Sequence, residues 1–199
     1  MKLWYTLFIC LFATAIWAQD EETLIDDIEI IGAFGGPIVE FGSINGEFGV
    51  DVGGGGALLI NNFFLGGYGM GTDYPEISID DVLYDIRFRH GGFWLGYTTN
   101  PNRLTHFYSS LRLGWGRAQL RGDGPEVASD RLFAVTPEVG FEINLTRFMR
   151  LAITGGYRAV TGVGKLPVLD NGDFSSPIGG LTFRFGGFAS DWDDFDWDW

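Results

Sequence analysis

The sequence predicts an all-β chain, an eight-stranded antiparallel transmembrane β-barrel. Three observations carry that prediction. The chain opens on an export signal, eight segments then alternate apolar and polar residues with period two, and the connections between them alternate short and long. With no more than a short apolar run at the start, no stretch offers the roughly 18 apolar residues of a spanning helix.

The signal runs from Met1-Lys2-Leu3 through an apolar core to Ile16-Trp17-Ala18. A basic start, a short apolar run and a small final residue mark a secretory signal peptide over 1–18, not a retained anchor helix. Cys10, the only cysteine, lies inside it behind the bulky Ile9, so neither lipidation nor disulfides are expected. An acidic periplasmic leader, 19–33, follows. The barrel proper is expected over 34–188 and an acidic-aromatic tail over 189–199.

The strand-like segments are 34–43, 46–60, 62–72, 82–98, 104–121, 131–144, 150–162 and 176–188. In the second, Phe48, Val50 and Val52 oppose Glu47, Gly49 and Asp51. The third is too glycine-rich for its facing to be fixed. The fourth sets Tyr84, Ile86 and Phe88 against Asp85, Arg87 and Arg89. The fifth sets Phe107, Leu111, Leu113 and Trp115 against His106, Ser110, Arg112 and Gly114. The sixth sets Phe133, Val135, Val139, Phe141 and Ile143 against Thr136, Glu138, Gly140, Glu142 and Asn144. The seventh sets Leu151, Ile153 and Tyr157 against Ala152, Thr154 and Arg158. The last sets Leu181, Phe183 and Phe185 against Thr182 and Arg184. Pro137 cannot donate to a ladder, so a local bulge is expected there.

Asn45-Gly46 predicts a two-residue hairpin. Asn61-Asn62, Asn100 to Arg103 and Leu145 to Met149 are short; Thr72 to Asp81, Gly122 to Asp130 and Gly164 to Ser175 are longer and polar. Short turns on the periplasmic side and long loops outside are the expected arrangement. A tight turn at Asn100–Arg103 would pair Thr99 with Leu104, Phe88 with Trp115, Arg89 with Gly114 and His106 with Tyr97.

The final Gly180-Leu181-Thr182-Phe183-Arg184-Phe185, behind a signal and eight dyad strands, resembles the small eight-stranded outer-membrane barrels of Gram-negative bacteria, the OmpA/OmpX type. The resemblance implies a monomer in the cell outer membrane, surrounded by outer-membrane lipid, its last strand read by the barrel-assembly machinery. It departs from such barrels in running on past Phe185 through Asp191 to Trp199, and a separate peptidoglycan-binding domain is not expected. The tail interleaves five aspartates with three tryptophans and Phe195, and reads either as a disordered acidic end or as a docking segment for a periplasmic partner.

Charge placed inward forms the candidate site: Glu40, Glu47, Asp51, Asp85, Glu138 and Glu142 with Arg87, Arg89, Arg112, Arg158 and Arg184. Six acids against five bases predict a paired network filling the lumen, since unpaired buried charges cost several kcal/mol each. Leu113, Trp115, Phe141, Ile153 and Phe183 are expected to face lipid. His106 is expected inward and His90 outward; Ser110 lies about 13 Å along the strand from His106, too far for a nucleophile–base pair. No metal spacing, cofactor motif or phosphate loop is present, the glycines at 53–56 giving room to large neighbours or curvature instead. A formal charge of −13, becoming −14 once Lys2 is lost, argues against nucleic acid. The expected function is a non-enzymatic envelope barrel with a structural or surface-binding role through its loops. A lipid-modifying outer-membrane enzyme and a soluble secreted lipocalin-like barrel are the alternatives.

Overall fold

Asn45 (φ 52°) and Gly46 (φ 79°) both occupy the left-handed region, the requirement of a type I′ hairpin, and Ile44 pairs with Glu47 across them. Asn61 (φ 52°) turns the chain between Ile60 and Phe63. The computed structural model, which describes residues 30–79, 82–121, 126–167 and 169–188, holds eight strands. They are β1 (Ile30–Ile44), β2 (Glu47–Ile60), β3 (Phe63–Ile79), β4 (Val82–Thr98), β5 (Thr105–Arg121), β6 (Glu126–Asn144), β7 (Met149–Thr161) and β8 (Ser176–Gly187). One helical turn, α1 (Asn171–Phe174), sits in the β7–β8 loop, its Asp170 cap accepting from the Gly172 and Asp173 amides. Each strand pairs antiparallel with its neighbours, and β8 returns to β1 to close the barrel. The expected signal peptide and tail lie outside the described residues.

The interior changes polarity along the axis. Charged side chains occupy the middle. At the end carrying the β1–β2 hairpin and the β7–β8 loop, Ile44, Ile86, Phe88, Leu120 and Leu132 form an apolar plug with Val163, Leu166, Leu169 and Phe174 of the loop. At the other end Phe34, Phe64, Trp94, Tyr108 and Phe188 pack together. Gly55 makes room for this second cluster, since a Cβ there would stand 3.0 Å from Cε3 of Trp94.

The polar segments 72–81 and 122–130, expected as loops, are largely strand: β3 runs to Ile79, and β6 begins at Glu126. Likewise β1 begins at Ile30, inside the stretch expected as leader. The bulge expected at Pro137 is absent. Pro137 pairs with Leu111, and β6 keeps one register against β7 on either side of it, from Val135↔Ala159 to Glu138↔Gly156. An antiparallel ladder bonds alternate residues to a given side, so a missing N–H need not displace the strand.

The β4–β5 register differs from the expected one by three residues. Thr98 pairs with Tyr108, Phe88 with Ala118, Arg89 with Arg117 and Gly92 with Gly114. The connection is not a four-residue hairpin: Thr99 donates to the carbonyl of Phe107 and Arg103 to that of Asn100. An odd slip exchanges the faces of a strand, so Ile86, Phe88 and His90 point inward and Arg87 and Arg89 outward.

Candidate functional site: the charged barrel interior

The middle of the lumen holds four carboxylates and four guanidiniums from six strands. Glu40 of β1 receives Arg112 of β5 on one oxygen and Arg158 of β7, at 3.0 Å, on the other. The same Arg158 Nη1 bonds Asp51 of β2; its Nε donates to the carbonyl of Phe174 (3.1 Å) and its Nη2 to that of Ser43 (3.0 Å). Arg158 therefore ties the network to the apolar plug, and it lies 4.8 Å from the ring centre of Phe88. Glu138 of β6 accepts from Ser110 (2.9 Å), Thr154 (3.1 Å) and Arg112 (3.1 Å).

Glu142, two pleat repeats further along β6, gathers a second group. It meets Arg184 of β8, Arg150 of β7 at 3.1 Å and Nε2 of His106 at 3.1 Å. Nδ1 of His106 lies 3.1 Å from the carbonyl of Arg103, so both ring nitrogens face acceptors. Arg184 is fully buried, and its Nε and Nη2 have no hydrogen-bond partner among the described residues. They lie in an aromatic box instead: the guanidinium carbon is 3.6 Å from the centre of Phe34 and 4.8 Å from that of Phe64. Aromatic faces attract a desolvated cation by their quadrupole. Phe188 covers Arg150 similarly, at 4.0 Å.

Of the residues expected in the lumen, the structure brings together Glu40, Asp51, Arg112, Glu138, Glu142, Arg158 and Arg184. Asp85, Arg87 and Arg89 are not among them: they lie on the outer face of β4, because the strands rise past the charged band to a level where the interior is apolar. Glu47 shares the inner-face parity of Ile44 but sits exposed in the hairpin, where water solvates it. His90, expected outside, is buried, its Nδ1 2.9 Å from the hydroxyl of Tyr68. Arg150 was not expected, although it shares its parity with Thr154 and Arg158. Leu113, Trp115, Phe141, Ile153 and Phe183 all point outward, Phe141 being 60% and Trp115 56% exposed. On β3, Phe64, Tyr68 and Met70 point inward.

The arrangement holds and fills. Ser110 is committed to Glu138 and His106 to Glu142, so these two side chains do not pair with each other. Among the described residues no cluster of three metal-ligating side chains occurs.

No protein-family model matches the chain, and no curated protein sequence does. Solved structures do resemble it. Neisserial surface protein A is 12% identical over 81% of this chain and 99% of its own, with a TM-score of 0.56. Ail, the attachment invasion locus protein of Yersinia pestis, is 16% identical over 78% of this chain and 95% of its own, with TM-scores of 0.47 in complex with the heparin analogue sucrose octasulfate and 0.44 without it. At such identities the likeness is one of fold: the chain has the fold of the small eight-stranded outer-membrane β-barrels.

Proposed function

We propose that the mature chain is an outer-membrane barrel with a non-enzymatic, envelope-structural or surface-binding role, and that it does not conduct. The observation that carries this reading is the inverted polarity of its central band. Phe93, Trp115, Val139, Phe141 and Ile153 stand outward and exposed, while paired glutamates and arginines lie buried inside. Such a band is stable only when lipid covers it. A soluble binding barrel has the reverse arrangement around its cavity.

The interior supports a role outside the lumen. Its charges are consumed in pairing, and both ends are closed by side chains, so the surfaces left for recognition are the outer wall and the extracellular rim. Fractionation of cells, combined with gel migration before and after heating, tests the reading. The expected result is a band in the outer-membrane fraction that shifts on boiling. Release from envelopes by carbonate without detergent would overturn it.

A further inference from the structure

Three arginines lie in one row across the outer wall. Arg89 of β4 is directly opposite Arg117 of β5, which is directly opposite Arg131 of β6. All three side chains are exposed on the outer face. Neighbouring strands are about 4.8 Å apart, and like charges directly opposite repel. Arg117 and Arg131 make no ion pair with the described residues. Asp130, beside Arg131 in the chain, has its oxygens taken by the amides of Arg131, Gly164 and Lys165.

The row borders a groove of about 750 Å³, floored by Gly69 and Gly71. At Gly69 the floor is open, since a Cβ there would meet nothing within 4 Å; at Gly71 the absence of a side chain makes room for Arg89, whose Cγ lies 2.8 Å from where a Cβ would stand. A second depression of about 550 Å³ shares Arg117 and Arg131 and adds Lys165, with the amide-bonded Asp130 also in its lining. Directly below the row the same face turns apolar, with Trp115 against Phe133 (5.2 Å) and Phe93 (5.9 Å). Counting up β5 from Phe107 to Arg117 gives ten residues, about 33 Å of strand. At a tilt of about 40° that is close to the roughly 25 Å height of a barrel's apolar band. The arginines thus stand at the level where acyl chains give way to headgroups.

We propose that this row is a docking site for the phosphorylated headgroup of an outer-leaflet saccharolipid, its acyl chains lying down the wall past Trp115 and Phe93. Guanidiniums one strand apart can clamp a phosphate between them by paired, charge-assisted hydrogen bonds, and three in a row span two phosphates. The continuity of cationic groove with aromatic wall is what selects a lipid over a free anion. The proposal rests on the outer-membrane reading above.

The test uses the purified mature protein in detergent micelles, with diphosphoryl lipid A as probe and tryptophan fluorescence as readout. Saturable binding is expected, weakened at least tenfold in R117Q/R131Q and equally weakened for wild type offered dephosphorylated lipid A. R147Q, at the opposite end of the barrel, should bind as wild type. Heat-modifiable migration verifies that each variant is folded. Should the double variant not fold, the comparison of phosphorylated with dephosphorylated lipid on wild type still decides. Equal binding of the two lipids, or an undiminished double variant, would overturn the proposal. So would full displacement by inorganic phosphate or by heparin, which would mark a free-anion or acidic-polysaccharide site. Binding in micelles does not depend on where the cell puts the protein, so a failed fractionation and a failed titration refute different statements.

Discussion

Glu142 concentrates the energetics of the lumen in one side chain. Fully buried, it faces Arg184, Arg150 and His106 at once. Removing one partner of a buried pair leaves uncompensated charge and costs about 3–5 kcal/mol. Glu142→Ala is therefore expected to lower stability by about that amount, read as a shift of the urea midpoint in lipid vesicles with an unchanged slope. Double replacement of Glu142 and Arg184 by leucine and methionine should recover a large part of the loss, because two well-packed apolar groups need no compensation. A loss from Glu142→Ala within experimental error would show that water already solvates the group.

At the scale of the strand, most facing was legible. On β2, β5, β6, β7 and β8 the rule of charge inward and apolar outward reads correctly, because those stretches lie in the central band, where the exposed outer face is apolar. It fails on upper β4, where Tyr84, Ile86 and Phe88 alternate with Asp85, Arg87 and Arg89 just as cleanly but with the opposite meaning. There the strands rise past that band, the outer face carries the charges, and the loop residues Leu166, Leu169 and Phe174 make the inside apolar. Periodicity reveals two faces and cannot say which is solvent. The register across Asn100–Arg103 compounded the error, since it presumed a tight turn where six residues, 99–104, join the strands. Pairing to Glu142 could not be read for Arg150 and His106 either, because it depends on which strands close on which. Single cysteines decide the facing: a water-soluble reagent should label position 89 and spare position 88, and the reverse would restore the tighter register. In the band itself, Phe141→Arg or Ile153→Arg near mid-membrane should each cost about 2–4 kcal/mol, measured by reversible unfolding from vesicles.

For the whole molecule, the interior is closed in three storeys: aromatic rings below, ion pairs between, an apolar plug above. Pure protein in a planar bilayer is therefore expected to show no stable open-channel current. Phe174→Ala, which takes away the ring stacked 5.7 Å from Phe88, should loosen the plug without opening a pore, since Arg158 and Glu40 remain below it. Steady currents from the wild type would refute the filled interior, and currents from Phe174→Ala alone would move the barrier from the ion pairs to the plug.

The closing seam has a further consequence. Ala33 of the first strand lies directly opposite Gly187 of the last, so the two ends of the barrel wall meet on one rim. A wall closed in this way has no privileged beginning. Joining the ends by a short linker and cutting instead at Asn61-Asn62 should give a circularly permuted chain with every strand pair intact, since exposed turns tolerate such cuts. That chain would carry Gly180 to Phe185 in its interior, with β2 as its last strand. It is expected to refold from urea into detergent micelles like the natural order, yet to fail to reach the outer membrane in cells. The geometry of the wall and the address written in its last strand would then be separable properties of one sequence.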